Sequence, residues 1–349
     1  MSSQRNLGYI SMTFLFLSGC ATTEIPLATR IANALPAASV QASGETEAVA
    51  TANADAADDP AIWRNAASPA ASLIVGTDKK AGLYVYGLDG KVRDFNDAGR
   101  VNNVALAESD GRIVVAASDR NDPLNAQVAV FALDPTSAKL TTLGKVAAGA
   151  GEAYGICLYR APEALYAFMV AKDGTIRQLA LDLTGAAPQA RIVRTMKLAT
   201  QSEGCVVDPR SARLYVAEED VGLWRFDARA DGAVAPVKIA AADGKQIVAD
   251  AEGVAIAQDG DNGYLVVSSQ GDNAYAVYRL PDESYVGRFR IAPGAFGSTE
   301  ETDGIEIATG DFGPAFPDGL MVAQDGMNAP RAQNFKLVGW GAIKRALGL

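Results

Sequence analysis

Histidine is absent from all 349 residues. Its absence removes the usual general base, the usual transition-metal ligand and any phosphohistidine route, and it excludes a serine triad. Lys and Arg number 31 against 41 Asp and Glu, leaving a formal charge of −10 and a pI near 4.7. That balance argues against nucleic acid as a partner, although a local basic patch could still take a small polyanion. Long apolar runs are also missing. The longest near the N-terminus, Phe14-Leu15-Phe16-Leu17, is too short to span a bilayer. Whatever chemistry the chain performs falls to oxygen ligands and to Lys and Arg.

Only three cysteines occur: Cys20, Cys157 and Cys205. The first closes Leu17-Ser18-Gly19-Cys20, which follows Arg5 and the apolar run and reads as an export signal over residues 1–20 ending in a lipoprotein cleavage box. Acylated at Cys20, the chain would be exported and held on the bacterial cell envelope, at the outer membrane or the periplasmic face, with the lipid as its only membrane contact. Cys157 and Cys205 then remain in a compartment that permits pairing, and the sequence leaves the pairing open. Residues 21–44 are rich in Ala, Thr and Ser without apolar periodicity and read as a flexible tether. A single domain is expected from 45 to 349.

With 49% hydrophobic and 21% charged residues, the chain has enough apolar material for a large core. Helical patterning is scarce, and short β-rich runs are divided by Gly, Asp and Asn, which points to an all-β fold. Six inner-strand starts align: Asp59-Pro60, Asn102-Asn103, Tyr154-Gly155, Glu203-Gly204, Glu252-Gly253 and Asp303-Gly304. Their first residues lie 43, 52, 49, 49 and 51 positions apart, the length of a four-stranded propeller blade. A second strand follows each, at Leu73, Ile113, Leu165, Leu214, Tyr264 and Leu320. A six-bladed β-propeller is predicted, closed by a strand near Glu45 that completes the last blade and leaves no open edge.

In each blade the start of the first strand and the end of the second share one face, because a hairpin returns the chain to its origin. Asp59, Asn102, Tyr154, Glu203, Glu252 and Asp303 therefore meet Lys79, Lys80, Arg120, Lys172, Asp173, Glu218, Glu219, Gln270, Gln324 and Asp325 at one mouth. Blades one to three contribute mostly Lys and Arg, and blades four to six mostly carboxylates. Crowded carboxylates imply a bound cation or raised pKa values, and with neither His nor Cys among them the cation is calcium. Calcium that merely stiffens the channel is the plainer alternative. The facing basic arc favours a phosphate-bearing ligand instead.

The string Asp55-Ala56-Ala57-Asp58-Asp59-Pro60-Ala61-Ile62-Trp63 resembles the signature of the β-propeller phytases. Thr77-Asp78-Lys79-Lys80, Asn102-Asn103-Val104, Ala153-Tyr154-Gly155, Ser202-Glu203-Gly204, Ala217-Glu218-Glu219-Asp220, Asp250-Ala251-Glu252-Gly253, Ser268-Ser269-Gln270-Gly271, Thr302-Asp303-Gly304 and Ala323-Gln324-Asp325-Gly326 follow in the family's order. The resemblance implies a monomeric, calcium-dependent phosphomonoesterase that acts on inositol hexakisphosphate by direct attack of metal-activated water. It places Asp58, Asp59, the Pro60 backbone, Glu203, Glu219, Asp250, Glu252 and Asp303 on several calcium ions, with Glu45 and Asp325 as further ligands. It places Lys79, Lys80, Asn102, Arg120, Tyr154 and Lys172 on the substrate, and counts Lys79, Arg120, Tyr154, Lys172, Asp173 and Glu219 as catalytic. Two positions depart from the pattern: Ala105 stands where an acidic residue is common, and Asp173 where Glu is usual. A lactonase-like calcium propeller and a non-catalytic binding propeller are the competing readings.

Overall fold

The computed structural model describes residues 25–349, which form six β-sheets around a central channel. Four sheets pair their strands in chain order from the channel outwards, the other two add an outer strand from the N-terminal segment, and each inner strand packs on the inner strand of the next blade. The predicted six-bladed propeller is therefore the observed fold. Apolar side chains alternate along the strands and fill the wedges between blades, as where Val75 and Val85 meet Val115 and Phe131. No helix among the described residues is long and apolar enough to cross a membrane.

The ring closes as the repeats require. Gly44–Glu45 pairs antiparallel with Asn334–Gly339 and supplies the fourth strand of the last blade. The segment before it departs from the expected tether. Leu27–Asn33 is helical, and Ala38–Val40 adds a fifth, parallel strand to the outside of blade five beside Tyr285–Ile291. Buried Arg288 donates to the Leu35 carbonyl and Lys245 to that of Asn33, so backbone groups hold the arm in place where composition alone suggested freedom. The export signal with Cys20, and the first residues of the expected tether, lie outside the described residues.

Five of the six inner strands carry a register shift at the same point. These fall between Ala57 and Pro60, Val101 and Val104, Ala153 and Gly155, Ser202 and Cys205, and Ala251 and Val254. A bulge bends a strand and re-aims its side chains. Here it turns the first residues of these five inner strands towards the axis. The glycine after Glu203 and Glu252 follows from the same geometry: a Cβ on Gly204 would lie 2.3 Å from the Glu252 carbonyl oxygen, and one on Gly253 2.6 Å from that of Asp303. Only glycine lets neighbouring inner strands approach so closely. Cys157 and Cys205 face each other across the inner strands of blades three and four and form a disulfide, with Cα atoms 5.7 Å apart.

Candidate active site

The bulges gather carboxylates on one arc of the mouth. Glu203, Glu219 and Glu252 each place an oxygen within 4.8 Å of the others, and all three are buried. Asp55, Lys79, Tyr154, Gln201, Asp250, Gln270 and Asp303 complete the wall of a cavity of about 290 Å³. Burial, reinforced by neighbouring carboxylates, pushes Glu203 up to about 8 and Glu219 up to about 7, and raises Asp58, Glu252 and Asp250 as well. Oδ2 of Asp58, Oε1 of Glu219 and Oε2 of Glu252 are buried without a hydrogen-bond partner, and Oδ1 of Asp58 meets only the Lys79 ammonium. Buried polar atoms are ordinarily satisfied, so orphaned carboxylate oxygens at one spot form a group that could hold a metal ion. The donor set is all oxygen, as a hard cation such as calcium demands.

Lys79 belongs to this arc rather than to a separate basic side. Its ammonium lies 2.8 Å from Asp55, 3.1 Å from Asp58 and 2.9 Å from Asp303. Burial works against its charge, but those carboxylates and Glu203 hold its pKa well above the usual lysine value. It is the permanent counter-ion of the acidic cluster.

The opposite wall is built on Tyr154. The Arg120 guanidinium stands 5.4 Å and the Lys172 ammonium 5.1 Å from its ring centre, so the aromatic face holds both cations in place. Arg120 also donates to Asn102 and pairs with Glu152 at 2.5 Å. Asn102 in turn donates to Glu203 at 2.8 Å, linking the basic wall to the acidic one. Burial and then Glu203, Glu219 and Glu252 raise the Tyr154 hydroxyl far above its ordinary pKa, so it remains a proton donor.

Several expected residues stand elsewhere. Asp58 and Asp59 are adjacent in sequence, yet the bulge sends them apart: Asp58 joins the mouth, while Asp59 turns into the channel behind it. There Asp59 accepts from the Val104 amide at 3.0 Å and lines a cavity of about 500 Å³ shared with Glu306. Asp173, expected to be catalytic, is exposed, accepts from Thr175 and pairs with Lys197 at 3.0 Å. Shortening the side chain by a methylene therefore costs the mouth nothing. Lys80 is exposed, and its amide caps Asp78. Glu218 turns away from the cavity and holds a loop.

Glu45 and Asp325, expected to hold metal, instead surround the protein's own cation. Buried Lys336 places its ammonium 2.7 Å from Glu45, 3.2 Å from Asp325 and 3.2 Å from the Asn328 side-chain oxygen. Bonds from Arg331, Lys336 and Asn334 outweigh burial and hold Glu45 down to about 2. Because Glu45 lies on the closing strand, this cluster clasps the ring. Lys336→Met is expected to destabilise the fold by about 3–5 kcal/mol, the cost of stripping a buried carboxylate of its partner. Calcium-free denaturant unfolding measures the loss.

Sequence reasoning did not assign roles to Glu152, Gln201 or Arg30. The first two flank recognised motifs and carry no signal of their own. The charge of Arg30, on the N-terminal helix, acts against the rise in the Asp250 pKa.

A propeller whose mouth sets buried carboxylates that could hold a metal ion against an aromatic-backed pair of cations is a site suited to an anionic substrate. Residues 9–349 match the phytase family. A 3-phytase from Bacillus subtilis (strain 168) is 38% identical over 329 residues, which cover 88% of this chain and 85% of the relative. The chain belongs to the phytase family, and the lactonase-like and non-catalytic readings fall away.

Proposed function

We propose that this phytase hydrolyses phosphomonoesters of inositol hexakisphosphate with calcium held by Glu203, Glu219, Glu252, Asp58, Asp250 and Asp303. The observation that carries the reading is the set of buried, partnerless oxygens on Asp58, Glu219 and Glu252 facing the Arg120–Tyr154–Lys172 wall. When bound, calcium supplies concentrated positive charge for phosphoryl oxygens and for lowering the pKa of a water. The residues do the rest. Arg120 and Lys172 neutralise the oxygens of the phosphate, the Tyr154 hydroxyl donates to one of them, and Lys79 keeps the carboxylates from repelling an anionic substrate. Phosphoryl transfer depends chiefly on such positioning and charge stabilisation, so no covalent phosphoenzyme is required. Phosphate release from phytate, measured with calcium and again in excess chelator, tests the reading. Release that persists undiminished in chelator overturns the calcium requirement.

The same proposal extends to location. Leu17-Ser18-Gly19-Cys20 supports export and acylation at Cys20, and a Cys157–Cys205 disulfide suits an oxidising compartment outside the cytoplasm. Cys20→Ala should move the protein to the soluble fraction. Palmitate labelling that survives this change contradicts the anchor.

A further inference from the structure

Between blades three and four, Leu198 to Gln201 form a loop at the mouth that the activity as described so far does not use. Its conformation is fixed from below by one carboxylate. Buried Glu218 accepts from the Ala199 amide at 2.9 Å, from the Thr200 amide and hydroxyl at 2.8 Å each, and from the Trp224 indole at 2.8 Å. The Ser202 hydroxyl closes the turn by donating to the Thr200 carbonyl at 3.1 Å. Four bonds on one buried carboxylate leave the loop little freedom, which is how a side chain is aimed without being part of a helix or strand.

Gln201 is the residue so aimed. Its Nε2 donates to the Tyr154 hydroxyl at 3.2 Å, its carbonyl accepts from the Glu219 amide at 3.1 Å, and its side chain lies within hydrogen-bonding reach of the Glu219 carboxylate. It therefore touches the aromatic residue that backs both phosphate-facing cations and also one of the carboxylates of the opposite arc. By donating to the Tyr154 oxygen it also leaves the hydroxyl hydrogen free to point into the cavity. A tyrosine whose oxygen had no such donor could rotate its hydrogen towards Glu203 or Glu219 and be lost to the substrate.

We infer that Gln201 is a positioning residue for the hydrolysis, orienting the Tyr154 hydroxyl towards a phosphate oxygen and tying the basic wall of the mouth to Glu219. The inference rests on the reading of Tyr154 as a phosphate-side donor. Gln201 itself need not touch the substrate. Its contribution passes through Tyr154, so the two residues act as one unit.

The test is a double-mutant cycle on the calcium-loaded full chain with phytate as substrate. Gln201→Met keeps the size of the side chain and removes the amide, and Tyr154→Phe removes the hydroxyl. Each is expected to lower kcat/KM by about tenfold, the scale of one well-placed hydrogen bond. The double variant should be no worse than either single one, because each change already breaks the same contact. Melting temperatures should stay near the parent's, whereas a merely structural role would lower them and leave the kinetics of the folded fraction unchanged. Should methionine loosen the loop, Gln201→Asn retains the amide but draws it back by one carbon, and the same cycle is read with it. Losses that multiply in the double variant, or a Gln201→Met enzyme with parental kinetics beside an impaired Tyr154→Phe, overturn the coupling. A Tyr154→Phe enzyme that hydrolyses phytate like the parent overturns instead the placing of Tyr154 on the phosphate side.

Discussion

Glu252→Gln is expected to lose phytate hydrolysis and calcium-dependent thermal stabilisation together, whereas Lys172→Ala loses hydrolysis alone. Glu252 is buried, and its Oε2 has no hydrogen-bond partner within the protein, which fits the cation-holding role proposed for it. Neutralising it removes a ligand, and turnover should fall by about a hundredfold or more, as it does when preorganised charge stabilisation is removed. Lys172 stacks on the Tyr154 ring and, although its charge favours ionised Glu219, supplies no ligand oxygen, so the calcium-dependent rise in melting temperature should survive its removal. The loss in kcat/KM should correspond to about 1.5–3 kcal/mol, one charge-assisted contact. Excess calcium should restore part of the activity of Glu252→Gln and none of that of Lys172→Ala. Parental hydrolysis by both Lys172→Ala and Arg120→Ala would mean that the aromatic-backed pair is not the substrate clamp, and the stiffening role for calcium would regain its place.

The second expected result concerns pH. In chelator the melting temperature should fall between about pH 4.5 and 8, and calcium should reverse the trend. Glu203 and Glu219 have folded-state values of about 8 and about 7, above the ordinary 4.5. In that window the folded state binds more protons than the unfolded chain, so stability decreases as pH rises. What these groups contribute is complete below 4.5 and gone once pH has passed through 7 to 8. Calcium requires the ionised forms, so its binding releases protons and strengthens over the same range. At a hundredfold excess over Kd it adds about 2.7 kcal/mol, several degrees in a domain of this size. A melting temperature in chelator that holds level or climbs from pH 5 to 8 would contradict the crowding. Calorimetry at paired pH values, with and without calcium, separates the two curves.

The sequence revealed the fold because the repeats are physical. Each blade needs an inner strand that starts with a residue for the axis and, in four blades, a glycine where the next strand presses close, and this pattern is visible without coordinates. The membership of the mouth followed from hairpin geometry. What escaped is side-chain direction inside the bulges, where one extra residue reverses the face. Asp58 and Asp59 look equivalent in sequence, yet Asp58 pairs with Lys79 at the mouth and Asp59 lines the cavity behind it. Lys79 reads as a cation for substrate, yet three carboxylates claim it. Lys336 carried no signal, because an alternating strand gives no notice that one of its polar positions is the centre of a buried cluster with Glu45 and Asp325. The N-terminal arm escaped because backbone carbonyls, which no side-chain pattern records, hold it to Arg288 and Lys245.

Anomalous diffraction from crystals grown with calcium tests the central claim most directly. The account predicts cation density bounded by Glu203, Glu219, Glu252 and Asp58, facing Arg120, Tyr154 and Lys172, and none between Glu45 and Asp325. Water alone among those four carboxylates, in protein that still releases phosphate from phytate, would contradict it.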